Sequence, residues 1–205
     1  SENPECLLAL LVSIPTIVEN INEYQYQETC FPMLSTAFTS TISALHEEAL
    51  KHIPLIVSKV SNTTVENELI PSIVELFSTS TDIKIIGSCI KCIAKCLPKL
   101  NHDIIAESVT EKITAAWNRL SGPPEIAEAV LVFVSQLKAT LLNSVRFVVP
   151  MVSEILASDR IIPPTQYELS QYILVVVDNF IKSQSSAGNA SHNSNTNQWL
   201  NKLGK

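Results

Sequence analysis

The spacing of the prolines constrains this chain more than any other feature. One set lies in the runs Ile14-Pro15-Thr16-Ile17-Val18, Ile53-Pro54-Leu55-Ile56-Val57 and Leu97-Pro98-Lys99-Leu100, with successive separations of 39 and 44 residues. A second set lies in Phe31-Pro32-Met33-Leu34, Ile70-Pro71-Ser72-Ile73 and Val149-Pro150-Met151-Val152. Pro32 and Pro71 are again 39 apart, and Pro71 and Pro150 are 79 apart, two periods with the middle member missing near Thr114. Two interleaved series with one period describe a two-element unit repeated along the chain. Each proline follows an apolar residue and sits in an apolar-periodic stretch, so the elements read as helices. Either the helix is kinked at the proline, where a lost hydrogen bond is tolerated, or the proline opens a new short helix.

Composition points the same way. The chain has only four glycines, and two of them, Gly188 and Gly204, are near its end. Nucleotide-binding α/β folds and barrels need glycine at tight turns and close backbone approaches. The hydrophobic periodicity predicts helices over 5–21, 28–39, 43–60, 64–78, 82–100, 104–120, 124–139, 142–157 and 165–183. Leu69, Ile73 and Leu76-Phe77 follow the stripe of a core-facing helix, and Leu169, Ile173 and Val176-Val177 repeat it. Start signals are expected at Thr63-Thr64, Thr81-Asp82, Pro123-Pro124 and Pro164-Thr165. A period near 40 with two helices per unit defines an all-α superhelix of antiparallel helix pairs, the HEAT or armadillo type of solenoid. About four and a half pairs fill residues 1–183. Residues 184–205 are rich in Ser, Asn and Gln and are expected to form a disordered tail, with Trp199, Leu200 and Leu203 as a short apolar patch in it.

Charge and cysteine usage narrow the function classes. The formal net charge is −6, with the basic residues scattered. Nucleic-acid binding relies on phosphate neutralisation and is not expected, nor is direct lipid binding through a polybasic run. Five cysteines at helical spacing do not form a disulfide framework and suit a reducing, cytoplasmic compartment. The longest apolar runs, such as Ile173-Leu174-Val175-Val176-Val177, fall far short of a bilayer span, and no charged region of a signal peptide opens the chain.

Three clusters could carry chemistry. Cys89, Cys92 and Cys96 lie along one helix face with His102 nearby, the spacing of a partial metal or redox site, but no second ligand pair completes a tetrahedral set. Cysteine packed as a small apolar residue is the expectation. His46-Glu47-Glu48 resembles the start of a zinc-protease motif, yet Leu50 stands where its second histidine is required, and His52 lies two positions further on. Glu107, Glu111, Glu125 and Glu128 are expected on solvated helix faces rather than as an acid/base couple. Trp117 beside Arg119 is either an exposed hot spot or, as we expect, a tryptophan closing the core between repeats. The triplets Asn62-Thr63-Thr64 and Asn189-Ala190-Ser191 match a glycosylation acceptor but read as a helix start and part of the tail. No catalytic, cofactor-binding or metal-binding residue set is expected, and the chain reads as a protein-interaction scaffold rather than an enzyme.

One resemblance adds a setting. Glu48, Leu50-x-x-Ile53-Pro54, Asn67-x-Leu69-Ile70-Pro71 and Cys92-x-x-x-Cys96-Leu97 resemble the HEAT region of the Scy-like pseudokinases, in particular their clathrin-coated-vesicle-associated branch. Val148-Val149-Pro150-Met151 through Gln171-Tyr172-Ile173-Leu174 is similar to that family's last repeats, so the likeness covers most of 28–183. Ile83-Lys84-Ile85 departs from the family's Val-Arg pattern, the tail lacks clathrin-box and adaptor-binding peptides, and no kinase-like domain lies within these 205 residues. The resemblance implies a non-catalytic scaffold in vesicle trafficking, on Golgi, endosomal or coated-vesicle membranes, with clathrin and its adaptors as partners. Without that resemblance, an importin- or adaptin-like HEAT fragment is the alternative.

Overall fold

The structure is a computed structural model that describes residues 3–187. Ten helices and no strand occur among the described residues. They are α1 (Pro4–Val12), α2 (Ile14–Asn20), α3 (Glu23–Thr39), α4 (Ser43–Lys59), α5 (62–79), α6 (Ile83–Cys96), α7 (His102–Arg119), α8 (Pro124–Gln136), α9 (141–156) and α10 (Pro163–Ala187). α10 continues four residues beyond Ser183, the expected end of the array. The patch at Trp199, Leu200 and Leu203 and the triplet at Asn189 lie outside the described residues.

Local chemistry sets the boundaries. Asn22 and Gln25 form a reciprocal capping box that starts α3 five residues ahead of the expected Glu28. Ser61, rather than Thr63 or Thr64, caps α5 by accepting from the Thr64 amide at 3.2 Å. Asp82 caps α6 and Asn101 caps α7 in the same way. The stretch expected as one helix over 5–21 is two, broken at Ser13, and Pro15 lies in the first turn of the second. α6 ends at Cys96 rather than Leu100, in a 3₁₀ turn, Leu97–Lys99, that contains Pro98.

Both readings of the prolines are therefore realised. Pro32 and Pro54 lie inside unbroken helices. Pro71 and Pro150 each follow a π turn, Val65–Leu69 and Ser144–Val148, within otherwise continuous helices. A proline cannot donate to the carbonyl four residues back, and its ring crowds that carbonyl. The π turn widens the backbone just ahead of the ring: Ile70 N–H reaches back to Val65 O and Val149 N–H to Ser144 O, five residues each. Helix α7, which lacks the proline, runs 18 residues without such a turn. Pro32, Pro54, Pro71, Pro98 and Pro150 all face solvent, where water can take up the released carbonyls.

The helices pack as two layers. α3, α5, α7 and α9 lie side by side in one, and α1 with α4, α6, α8 and α10 in the other. A continuous core between the layers contains Tyr26, Leu34, Ile53, Ile73, Phe77, Ile86, Ile93, Val130, Phe133, Val152 and Leu169. α6 and α8 make the closest pairing of helices in the array. Small residues allow it: a Cβ at Gly87 would lie 3.7 Å from Glu125 O and 3.9 Å from Ala129 Cβ. Burial of this seam, about 25 cal/mol per Å² of apolar area, supplies the main stabilisation of each repeat.

Candidate functional site

Side chains also tie neighbouring repeats together at the two ends of the helix layers. In α3, α5, α7 and α9 the helices run parallel, so like ends of their dipoles lie next to each other. Carboxylates bridge the N-terminal ends. Glu23, in the first turn of α3, accepts from Ser61 N at 2.8 Å and Thr64 Oγ1 at 2.6 Å at the start of α5. These bonds from Ser61 and Thr64 hold its carboxyl down to about 2. Asp103, in the first turn of α7, accepts from Thr140 N at 2.6 Å at the start of α9, and that bond likewise lowers its carboxyl. Beside it, Lys138 N donates to His102 Nδ1 at 2.7 Å.

Cations bridge the opposite ends. Arg119, the last residue of α7, donates to Phe77 O at 3.3 Å, Ser80 O at 2.9 Å and Ser78 O at the end of α5. Arg160, 41 residues later, donates to Ser121 O at 2.6 Å in the turn closing α7. In the other layer Lys99 donates to Val60 O just past α4. Each cation meets carbonyls 39 to 42 residues back in the sequence. Of the three arginines in the chain, two serve these clamps; the third, Arg146, stacks 4.9 Å from the Phe147 ring centre.

Within the layer of α3, α5, α7 and α9, the cation clamp is absent among the described residues at one joint, α3–α5. A cation reaching the end of α3 would have to stand at 78–81, and these residues are Ser78, Thr79, Ser80 and Thr81. Ser78 Oγ and Thr79 Oγ1 instead bond back to Val74 O at 2.6 Å and Glu75 O at 2.9 Å within their own helix. A cleft of about 520 Å³ opens there, between the C-terminal ends of α3 and α5 and the start of α4. Nine of its fourteen lining residues carry hydroxyls, its ionisable ones are His46, Glu75 and Asp82, and no lysine or arginine lines it. His46 is buried and its Nε2 donates to Ser40 O at 2.8 Å.

The clusters singled out in the sequence are placed elsewhere. Cys89, Cys92 and Cys96 are buried free thiols, and Cys92 Sγ donates to Leu50 O at 3.4 Å. Burial pushes the Cys92 and Cys96 thiols up to about 12 and raises Cys89 as well, which suits packing rather than thiolate chemistry. His102 bonds the next repeat instead of joining them. Among the described residues no group of three or more His, Cys, Asp and Glu side chains could hold a metal ion. His46 and His52 separate: His52 Nε2 meets Glu48 Oε1 at 3.1 Å, away from the Ser40 carbonyl that His46 engages. Trp117 is buried under Gly122, closing the core as expected, while its neighbour Arg119 forms the clamp. Glu107, Glu111, Glu125 and Glu128 are all exposed.

The sequence reading missed Glu23, Lys99, Asp103 and Arg160. The signal was present in the 41-residue spacing of Arg119 and Arg160, near the proline period, but two scattered cations do not stand out from a chain with 14.

The fold is that of a two-layered helical-repeat solenoid, as expected from the sequence. No family model and no curated protein matches the chain. Among solved structures it is similar to the crystal structure of Cex1p, with a TM-score of 0.65 at 14% identity over 90% of this chain. That match spans 35% of the Cex1p chain.

Proposed function

We propose that this chain is a non-catalytic scaffold that displays helix faces to other proteins. The observation that carries this reading is the architecture: a stack of helix pairs with a continuous apolar core between the layers and inter-repeat clamps fixing neighbouring units. Glu23, Asp103, Lys99, Arg119 and Arg160 serve those clamps, and Cys30, Cys89, Cys92 and Cys96 are packed as core. Exposed Tyr167, Leu174, Val175 and Ile181 on α10 add apolar area suited to a protein partner.

The particular setting follows from the motifs at Glu48–Pro54, Asn67–Pro71 and Cys92–Leu97. They support the HEAT region of a Scy-like pseudokinase acting in clathrin-linked vesicle trafficking in the cytoplasm, with membrane association only through partners. No helix among the described residues is long and apolar enough to cross a membrane. The test is capture of purified clathrin and adaptor subunits by the full chain. Saturable binding to either supports the trafficking role, and binding to neither, with the array folded, overturns it.

A further inference from the structure

We propose that the cleft between the C-terminal ends of α3 and α5 receives an arginine side chain from a partner protein, supplying from outside the clamp that this joint lacks. The inference rests on the scaffold reading and names a chemistry for one of its docking points.

The protein itself supplies the precedent. At the next joint along the layer, the Arg119 guanidinium spans three carbonyls at the end of α5, and at the joint after that Arg160 takes up the same role. A guanidinium suits this place because its fork of donors matches several outward-pointing carbonyls at once, where the helix dipole leaves partial negative charge. Thr79, the last residue of α5, is the positional counterpart of Arg119, the last of α7. It is too short to cross the joint, and its hydroxyl is turned back to Glu75 O.

The lining decides the sign of the guest. Glu75 and Asp82 line the cleft with no lysine or arginine among the lining residues to oppose them, and its one histidine, His46, is turned to the Ser40 carbonyl. The start of α4 also lines it and carries no side-chain cap, which alone would favour an anion. A phosphate there would sit against both carboxylates, so the cation is favoured. The abundant hydroxyls offer acceptors to the remaining guanidinium hydrogens. A lysine would fill the charge but not the fork.

The experiment titrates the isotope-labelled full chain with the peptide acetyl-Gly-Ser-Arg-Ser-Gly-amide while following backbone amide shifts. Two control peptides carry citrulline, the neutral isostere, or phosphoserine in place of arginine. The expected result is saturable shifts clustered at Ser40, Thr41, Thr79 and Ser80 with the arginine peptide and at least about tenfold weaker binding of the citrulline peptide. The double variant E75Q/D82N should weaken arginine binding by a similar factor; the asparagine it introduces still caps α6. The variant T79R should supply the missing clamp internally, raise Tm and abolish peptide binding. Equal response to arginine and citrulline, preference for phosphoserine, no response at all, or shifts centred elsewhere would each overturn the proposal. If T79R does not fold, the citrulline and E75Q/D82N arms decide the matter alone. Clathrin or adaptor capture that is unchanged in E75Q/D82N leaves the scaffold reading standing while the cleft inference is judged by the peptides. Loss of capture in the unaltered chain sinks the trafficking reading without touching the peptide result.

Discussion

At the scale of single residues, two glycines show opposite logic. Gly122 follows Ser121 in the turn after α7, and both have positive φ, 69° and 60°. A Cβ at Gly122 would lie 2.8 Å from Trp117 Cζ2. The substitution G122A should therefore lower stability by about 2 kcal/mol, through backbone strain and displacement of the indole, measured by urea unfolding. Gly87 is different. It is in the middle of α6, and its added methyl would make ordinary contacts with Glu125 and Ala129. G87A should raise stability by roughly 0.5–1 kcal/mol, because glycine in a helix interior loses more backbone freedom on folding. Arg119 is the third case. It is exposed by area yet holds three carbonyls, so R119M should cost about 1–2 kcal/mol in the same assay, well above the usual effect of a surface change.

At the scale of elements, the prolines and the clamps divide the labour. Prolines marked the repeat in the sequence because they recur on the solvent side of helices, where a missing donor is cheap. They could not reveal how the backbone would absorb them: a π turn at Pro71, an intact helix at Pro54, a break before Pro15. Each outcome depends on packing of the preceding turn, which periodicity does not encode. The early start of α3 was legible in principle, since Asn22 and Gln25 form a capping box, but Glu23-Tyr24-Gln25-Tyr26-Gln27 has no apolar helical stripe to draw attention to it. The cleft was the least legible feature, because it is defined by a side chain that is absent from a register set in three dimensions. The Glu23 bridge makes a prediction about pH. Its carboxyl ionises at about 2 when folded against 4.5 when free. A depressed folded value contributes stability above the free value and loses it as pH falls toward the folded one. Stability should thus decline between about pH 4.5 and 2, and E23Q, which loses this group's titration, should flatten part of that decline in acid unfolding curves.

At the scale of the whole molecule, the array is a chain of neighbours. Each repeat is held by its core seam and by clamps to the adjacent unit, so stability is a sum of local terms and joint terms. A change at the α7–α9 joint, such as R160M, should increase hydrogen exchange in α7 and α9 while leaving α3 and α4 near their original protection, measured by mass spectrometry. Uniform loss of protection would instead show a single cooperative unit. The joints are not equal. The α7–α9 joint has both bridges, Asp103 at one end and Arg160 at the other.

The α3–α5 joint has Glu23 at one end and an open cleft at the other. In mechanical terms it is a door with a hinge and no latch. Its two leaves carry a side-chain bridge at one edge, so a swing about Glu23 would widen or narrow the gap opposite. A guest seated in that gap would act as a bolt, setting the pitch of the array at one place and, through the rigid units on either side, the aim of every surface beyond it.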